Sequence, residues 1–135
     1  VSHFSALAVV ARKFMDFIVP VTVATAGPVT FTPAQFLGGL ILRDCAGAAR
    51  ADLPPTGADI IAALTVSGRA PVVGNCVEIS IRNTSGGAFA TTLSPQTGII
   101  LAGTMATAQG TTRRFLVMVG DGGVVTITSL GAQTH

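Results

Sequence analysis

Tryptophan and tyrosine are both absent from this chain of 135 residues, and charged side chains make up only 10% of it. Each shortage removes a class of function. Sugar clefts and nucleic-acid platforms depend on stacking aromatic rings, and phenylalanine alone supplies rings here. Histidine occurs only as His3 and His135, at the two ends of the sequence. A hydrolase triad or a histidine metal site needs an interior imidazole, and there is none. Six carboxylates remain: Asp16, Asp44, Asp52, Asp59, Glu78 and Asp121. Most sit in loop or helix-cap contexts, whereas glycosidase chemistry needs two of them across a cleft. Gly120-Asp121-Gly122-Gly123 lacks the following helix and lysine of a phosphate loop and reads as a hairpin turn. The expectation is a protein that is not an enzyme, with no catalytic residue, cofactor or metal.

Two cysteines, Cys45 and Cys76, are too few for a disulfide framework and lack metal-ligand spacing. Both read as buried apolar thiols, with their pairing left open. Long uninterrupted hydrophobic runs are missing too. The most apolar stretch, residues 4–26, is broken by Arg12, Lys13, Asp16 and Pro20, so it suits neither a membrane span nor a signal peptide. No membrane partner is expected, and synthesis in the cytoplasm is.

What the chain does have is hydrophobic content, at 49%. A domain this small cannot bury half of its residues, so some apolar surface needs a covering partner. The net charge is +2, and seven of the eight cations are arginines. They are scattered rather than aligned in a stripe, which argues against nucleic acid as a partner. Arginine over lysine suits protein interfaces, where the guanidinium fork pairs well and desolvates readily.

The hydrophobic pattern changes once along the chain. Over residues 1–17, Phe4, Leu7, Ala8, Ala11, Phe14 and Met15 recur at three- and four-residue spacing. This predicts either an amphipathic helix or an extended arm that orders on a partner. Residues 18–135 read as a single β-domain. Val19, Val21 and Val23 alternate with Pro20, Thr22 and Ala24, and Val29-Thr30-Phe31 follows as a second strand. Thr32 and Pro33 start a short helix as N-cap and first helical residue. Leu40-Ile41-Leu42-Arg43 is a strand, with a loop at residues 44–47. Thr56 precedes a second helix of about two turns, with Asp59 in its first turn. In Cys76–Asn83, Val77, Ile79 and Ile81 face one way and Glu78, Ser80 and Arg82 the other. Further strands are expected over residues 89–94, 99–102, 104–108, 114–119 and 124–130, separated by glycine-rich turns. Many short strands with such turns predict a mostly β fold, a small two-sheet jelly-roll or β-sandwich with one or two short helices.

The runs Val21-Thr22-Val23-Ala24-Thr25, Leu37-Gly38-Gly39-Leu40-Ile41-Leu42-Arg43-Asp44 and Gly47-Ala48-Ala49-Arg50 carry a resemblance. So do Pro55-Thr56-Gly57-Ala58, Ile81-Arg82-Asn83-Thr84, Phe115-Leu116-Val117-Met118-Val119 and Ser129-Leu130-Gly131. Together, over nearly all of the chain after residue 18, they resemble the jelly-roll head-decoration (cement) proteins of podophages of Bordetella. These motifs are strand and turn patterns rather than a catalytic signature. The resemblance implies a structural virion protein on the outer surface of an HK97-type capsid. It would bridge neighbouring major capsid protein subunits without covalent bonds.

Candidate interface residues are Phe4, Leu7, Arg12, Phe14 and Met15 in the N-terminal segment, together with Arg43, Arg50, Arg113 and Arg114. Arg43-Asp44 and Arg50 either position the loop between them by ion pairing or touch the shell. Arg113 and Arg114 begin a strand after a polar turn and are expected to serve binding more than folding. Self-association is expected, with a dimer favoured and a trimer the other option. The rival function is a receptor- or glycan-binding β-domain of a phage fibre or adhesin, although such domains display aromatic or charged residues on long loops.

Overall fold

The computed structural model describes residues 18–135. The expectations for Phe4, Leu7, Arg12, Phe14 and Met15 therefore lie outside the described residues.

Strand β1 (Val21–Val23) opens the domain, and helix α1 (Pro33–Phe36) follows a loop. Thr32 caps α1 as its sequence suggests, since its Oγ1 accepts from the Gln35 amide at 3.2 Å. Gln35 completes a capping box by accepting from the Thr32 amide at 3.0 Å. Next come β2 (Leu40–Arg43) and β3 (Arg50–Asp52), then helix α2 (Gly57–Leu64). Thr56 caps α2 through a 3.1 Å bond from the Asp59 amide. Strands β4 (Cys76–Asn83), β5 (Thr91–Leu93), β6 (Ile99–Ala102), β7 (Ala106–Thr107), β8 (Thr111–Val119) and β9 (Val125–Thr134) complete the chain. Asp121–Gly123 forms a 3-10 turn between β8 and β9, so this glycine cluster is a hairpin connection. No described helix is long and apolar enough to cross a membrane.

The strands form a six-stranded sheet in the order β1-β2-β4-β8-β9-β6 and a three-stranded sheet, β3-β5-β7. This is the expected mostly β, two-sheet architecture with two short helices. The large sheet is mixed: β1–β2, β2–β4 and β6–β9 pair in parallel, while β4–β8 and β8–β9 are antiparallel. Jelly rolls are antiparallel, so the finer jelly-roll expectation does not follow from this topology. Val29-Thr30-Phe31 contributes one isolated bridge, Thr30 to Leu53, rather than a strand of either sheet.

The core lies between the inner face of the large sheet and the layer made by the helices and the small sheet. Strand alternation sends Ile41, Ile79, Ile81, Phe115, Val117, Val125 and Ile127 inward, and all are essentially fully buried. They pack in one cluster with Phe31, Phe36, Ile60, Leu93 and Met105 from the opposing layer. The expected division of β4 holds, with Ile79 and Ile81 buried and Glu78 and Arg82 exposed. Gly57 fits where α2 meets two turns. A Cβ there would collide with the carbonyl oxygens of Gly98 and Gly123, so only glycine permits the approach.

Candidate interaction surfaces

Arg43 and Asp52 end β2 and β3 in different sheets, and both are completely buried. The Arg43 guanidinium donates from Nε to Asp52 Oδ2 at 2.8 Å and from Nη2 to Oδ1 at 3.1 Å. Its remaining protons reach the carbonyls of Val23, Thr25, Gly27 and Asp44 at 2.7–3.3 Å. Asp52 also accepts from the Val29 amide at 3.0 Å and the Thr91 hydroxyl at 2.5 Å. A bidentate pair with its other donors and acceptors engaged is how a buried ion pair is tolerated. Of the two roles expected for Arg43, the structure gives it the internal one, because a side chain with no exposed surface cannot touch a shell.

The partner of Arg43 is a correction to the sequence reading. Ion pairing joins it to Asp52, while Asp44 turns its carboxylate to the Ala46 amide at 2.9 Å. Asp52 escaped the sequence reading because β3, Arg-Ala-Asp, has no hydrophobic alternation. Arg50 does position the 44–47 loop, but through the carbonyls of Cys45 at 2.8 Å and Ala46 at 3.1 Å rather than through a carboxylate.

A second internal clamp centres on Asn83, also fully buried. Its Nδ2 donates to the Phe89 and Thr107 carbonyls at 2.7 and 2.8 Å, and its Oδ1 accepts from the Ser85 amide at 3.0 Å. The Ser85 hydroxyl in turn accepts from the Cys45 amide at 2.9 Å. Large sheet, small sheet and the two loops beside them are thus joined by polar contacts. Cys45 is buried and free, as a buried thiol should be, but Cys76 is free and exposed at the start of β4. Its outward position in the strand alternation explains that departure.

Among the described residues, nothing packs over the outer face of the large sheet. Alternation places Leu40 and Leu42 of β2, Leu116 and Met118 of β8 and Ile100 of β6 on this face. Ile100 is 54% exposed, Met118 39% and Leu130 42%, which is high for large apolar side chains. Glu78, Ser80, Arg82, Arg114, Thr126 and Thr128 occupy the remaining positions. Arg114 and Glu78 form an exposed ion pair at 3.2 Å, of the kind that contributes about 0–1 kcal/mol to stability. Arg114 also borders a hollow of about 270 Å³ with Ser80, Thr112 and Leu130.

Arg113 and Arg114 point to opposite faces by strand alternation, Arg113 opposite inward Ile81 and Arg114 opposite outward Ser80. The register slip that follows, at Arg114/Phe115, leaves Leu130 of β9 as the extra residue. Arg113 turns away from the open face and donates to the Ala106 carbonyl at 2.7 Å and the Ser129 hydroxyl at 2.9 Å. Arg113 therefore joins β7 to β8 and β9, and Arg114 is the one on the open face, where it pairs with Glu78. A single role for both overlooks the two-residue period of a strand, which sends adjacent side chains to opposite faces.

A second apolar surface lies at one end of the domain. Leu64, Val66, Arg69, Pro71, Cys76 and Val77 border an open trough of about 720 Å³. Val66 pairs with Arg69 around Ser67-Gly68, both at positive φ, in a tight hairpin that holds the 65–75 loop out from the body. Val66, Val72 and Val73 of this loop are 59–71% exposed. Among the described residues, no three of His, Cys, Asp and Glu gather where they could share a metal ion.

No protein-family model, curated protein or solved structure matches the chain.

Proposed function

We propose that this chain is a structural virion protein that binds the outer surface of a phage capsid. There it bridges and stabilises major capsid protein subunits without covalent bonds. The observation that supports the reading best is the open face of the six-stranded sheet. It presents Ile100, Met118 and Leu130 with few charges, so docking would desolvate only Arg82 and the Arg114–Glu78 pair among its charged groups. Apolar patches of this kind mark protein-binding surfaces. A cement protein must also hold its shape under load, and the Arg43–Asp52 and Asn83 clamps tie the layers of the domain together. A self-associated form, a dimer first, would place two such faces on neighbouring subunits.

The test is co-sedimentation of the purified protein with empty phage heads that lack it, with particle stability measured alongside. Saturable, stoichiometric binding that raises resistance to heat is expected. No binding to heads together with binding to host cells or glycans would overturn the reading in favour of a receptor-binding domain.

A further inference from the structure

Docking the open face of the large sheet takes Arg82, Arg114 and Glu78 out of water together. Among the described residues, Glu78 is the only acidic side chain on this face, and its ion pair goes to Arg114. Arg82 has no ion-pair partner there. A guanidinium cannot shed its charge by losing a proton, and leaving it dry without a counter-charge is costly. A partner that covers this face must therefore bring a negative charge to it.

The register of the sheet fixes where that charge belongs. Arg114 of β8 stands opposite Ser80 of β4 on one side and Gly131 of β9 on the other. In the neighbouring row Arg82 stands opposite Thr112, and Thr112 opposite Gln133. The two arginines are thus diagonal neighbours, about 7–8 Å apart in such pairs and long enough to share one acceptor. Gly131 adds no side chain to its row, and a hollow of about 270 Å³ opens there, lined by Ser80, Thr112, Arg114, Leu130 and Gln133. Arg114 uses only Nη1 on Glu78, at 3.2 Å. Its Nε and Nη2, and the side chains of Ser80, Thr112 and Gln133, have no hydrogen-bond partner among the described residues. Leu40 and Leu42 of β2 and Leu116 of β8 flank this polar cluster, and an apolar rim around an arginine anchor is the make-up of a binding hot spot.

We propose that this hollow receives an aspartate or glutamate side chain of the shell protein, its carboxylate held between Arg114 and Arg82. The guanidinium fork matches a carboxylate with two parallel hydrogen bonds, and the Ser80 and Thr112 hydroxyls can donate to its remaining lone pairs. The leucine rim selects an acid on a protein surface over the phosphates of a nucleic acid, which bring no apolar groups to cover it. This contact rests on the shell-binding reading and adds to it the chemistry of the group that is bound.

Co-sedimentation with empty heads, which hold no DNA, tests the contact on the variants Arg82→Gln, Arg114→Gln and Glu78→Gln. All three positions are exposed, so circular dichroism melts should match the parent. Each arginine change should raise the Kd for heads about tenfold or more. Glu78→Gln should lower it or leave it unchanged, because the carboxylate it removes competes for Arg114. Binding of the parent should weaken as salt rises, and binding of Arg82→Gln less steeply. Affinities within about twofold of the parent for both arginine variants would overturn the proposal and leave shell binding standing. Tighter binding by the arginine variants with weaker binding by Glu78→Gln would overturn it in favour of a basic group on the shell. A parent that does not bind heads overturns the shell-binding reading, and this contact with it.

Discussion

Replacing Asp52 by alanine strips the Arg43 guanidinium of its counter-charge in a site with no exposed surface. The four carbonyls around Arg43 still serve Nη1 and one proton of Nη2, but the Nε proton and the other Nη2 proton lose their acceptors and the charge loses its counter-charge. Breaking a buried pair from one side costs about 3–5 kcal/mol. Set against a typical total of about 5–15 kcal/mol, that is a large share of the stability. At about 3–5 °C per kcal/mol for a domain of this size, the midpoint should fall by about 9–25 °C. The paired replacement Arg43→Met with Asp52→Leu removes both charges but orphans the carbonyls and the Val29 amide. It should still destabilise, yet by clearly less than the sum of the two single changes. Without tryptophan or tyrosine the fluorescence signal is poor, so far-UV circular dichroism in urea is the suitable assay. A loss below about 1 kcal/mol for Asp52→Ala would refute the view that this pair staples the sheets, since it is what an exposed ion pair would give.

Gly57→Ala should destabilise by about 1–3 kcal/mol through overpacking, because the new methyl meets two backbone carbonyls that cannot swing aside; the urea midpoint reads this directly. Thr107→Val should be neutral or stabilising by up to about 1 kcal/mol. The Thr107 hydroxyl is buried with no hydrogen-bond partner among the described residues, so the methyl relieves a desolvation cost. Arg114→Ala should change folding stability by less than about 1 kcal/mol while weakening head binding. Arg113→Ala should do the reverse, because it loses bonds to Ala106 and Ser129; melting curves and co-sedimentation on both variants separate the effects.

The sequence by itself determined what acts locally. Alternation in Cys76–Asn83 told inward from outward side chains, because strand geometry repeats every two residues whatever lies beside it. Thr32, Pro33 and Thr56 marked the starts of both helices, because a cap bonds to amides two or three residues away. Only the tertiary structure decided what acts at a distance. The parallel pairings of β1, β2 and β4 depend on crossovers that no local pattern records. The pairing of Arg43 with Asp52, nine residues on and in another sheet, depends on how the two sheets stack. The bulge that leaves Leu130 of β9 as an extra residue opposite Arg114/Phe115 is set by the register between β8 and β9. A guanidinium looks the same in the sequence whether it ends in the core or in water, and its surroundings are supplied by residues far along the chain.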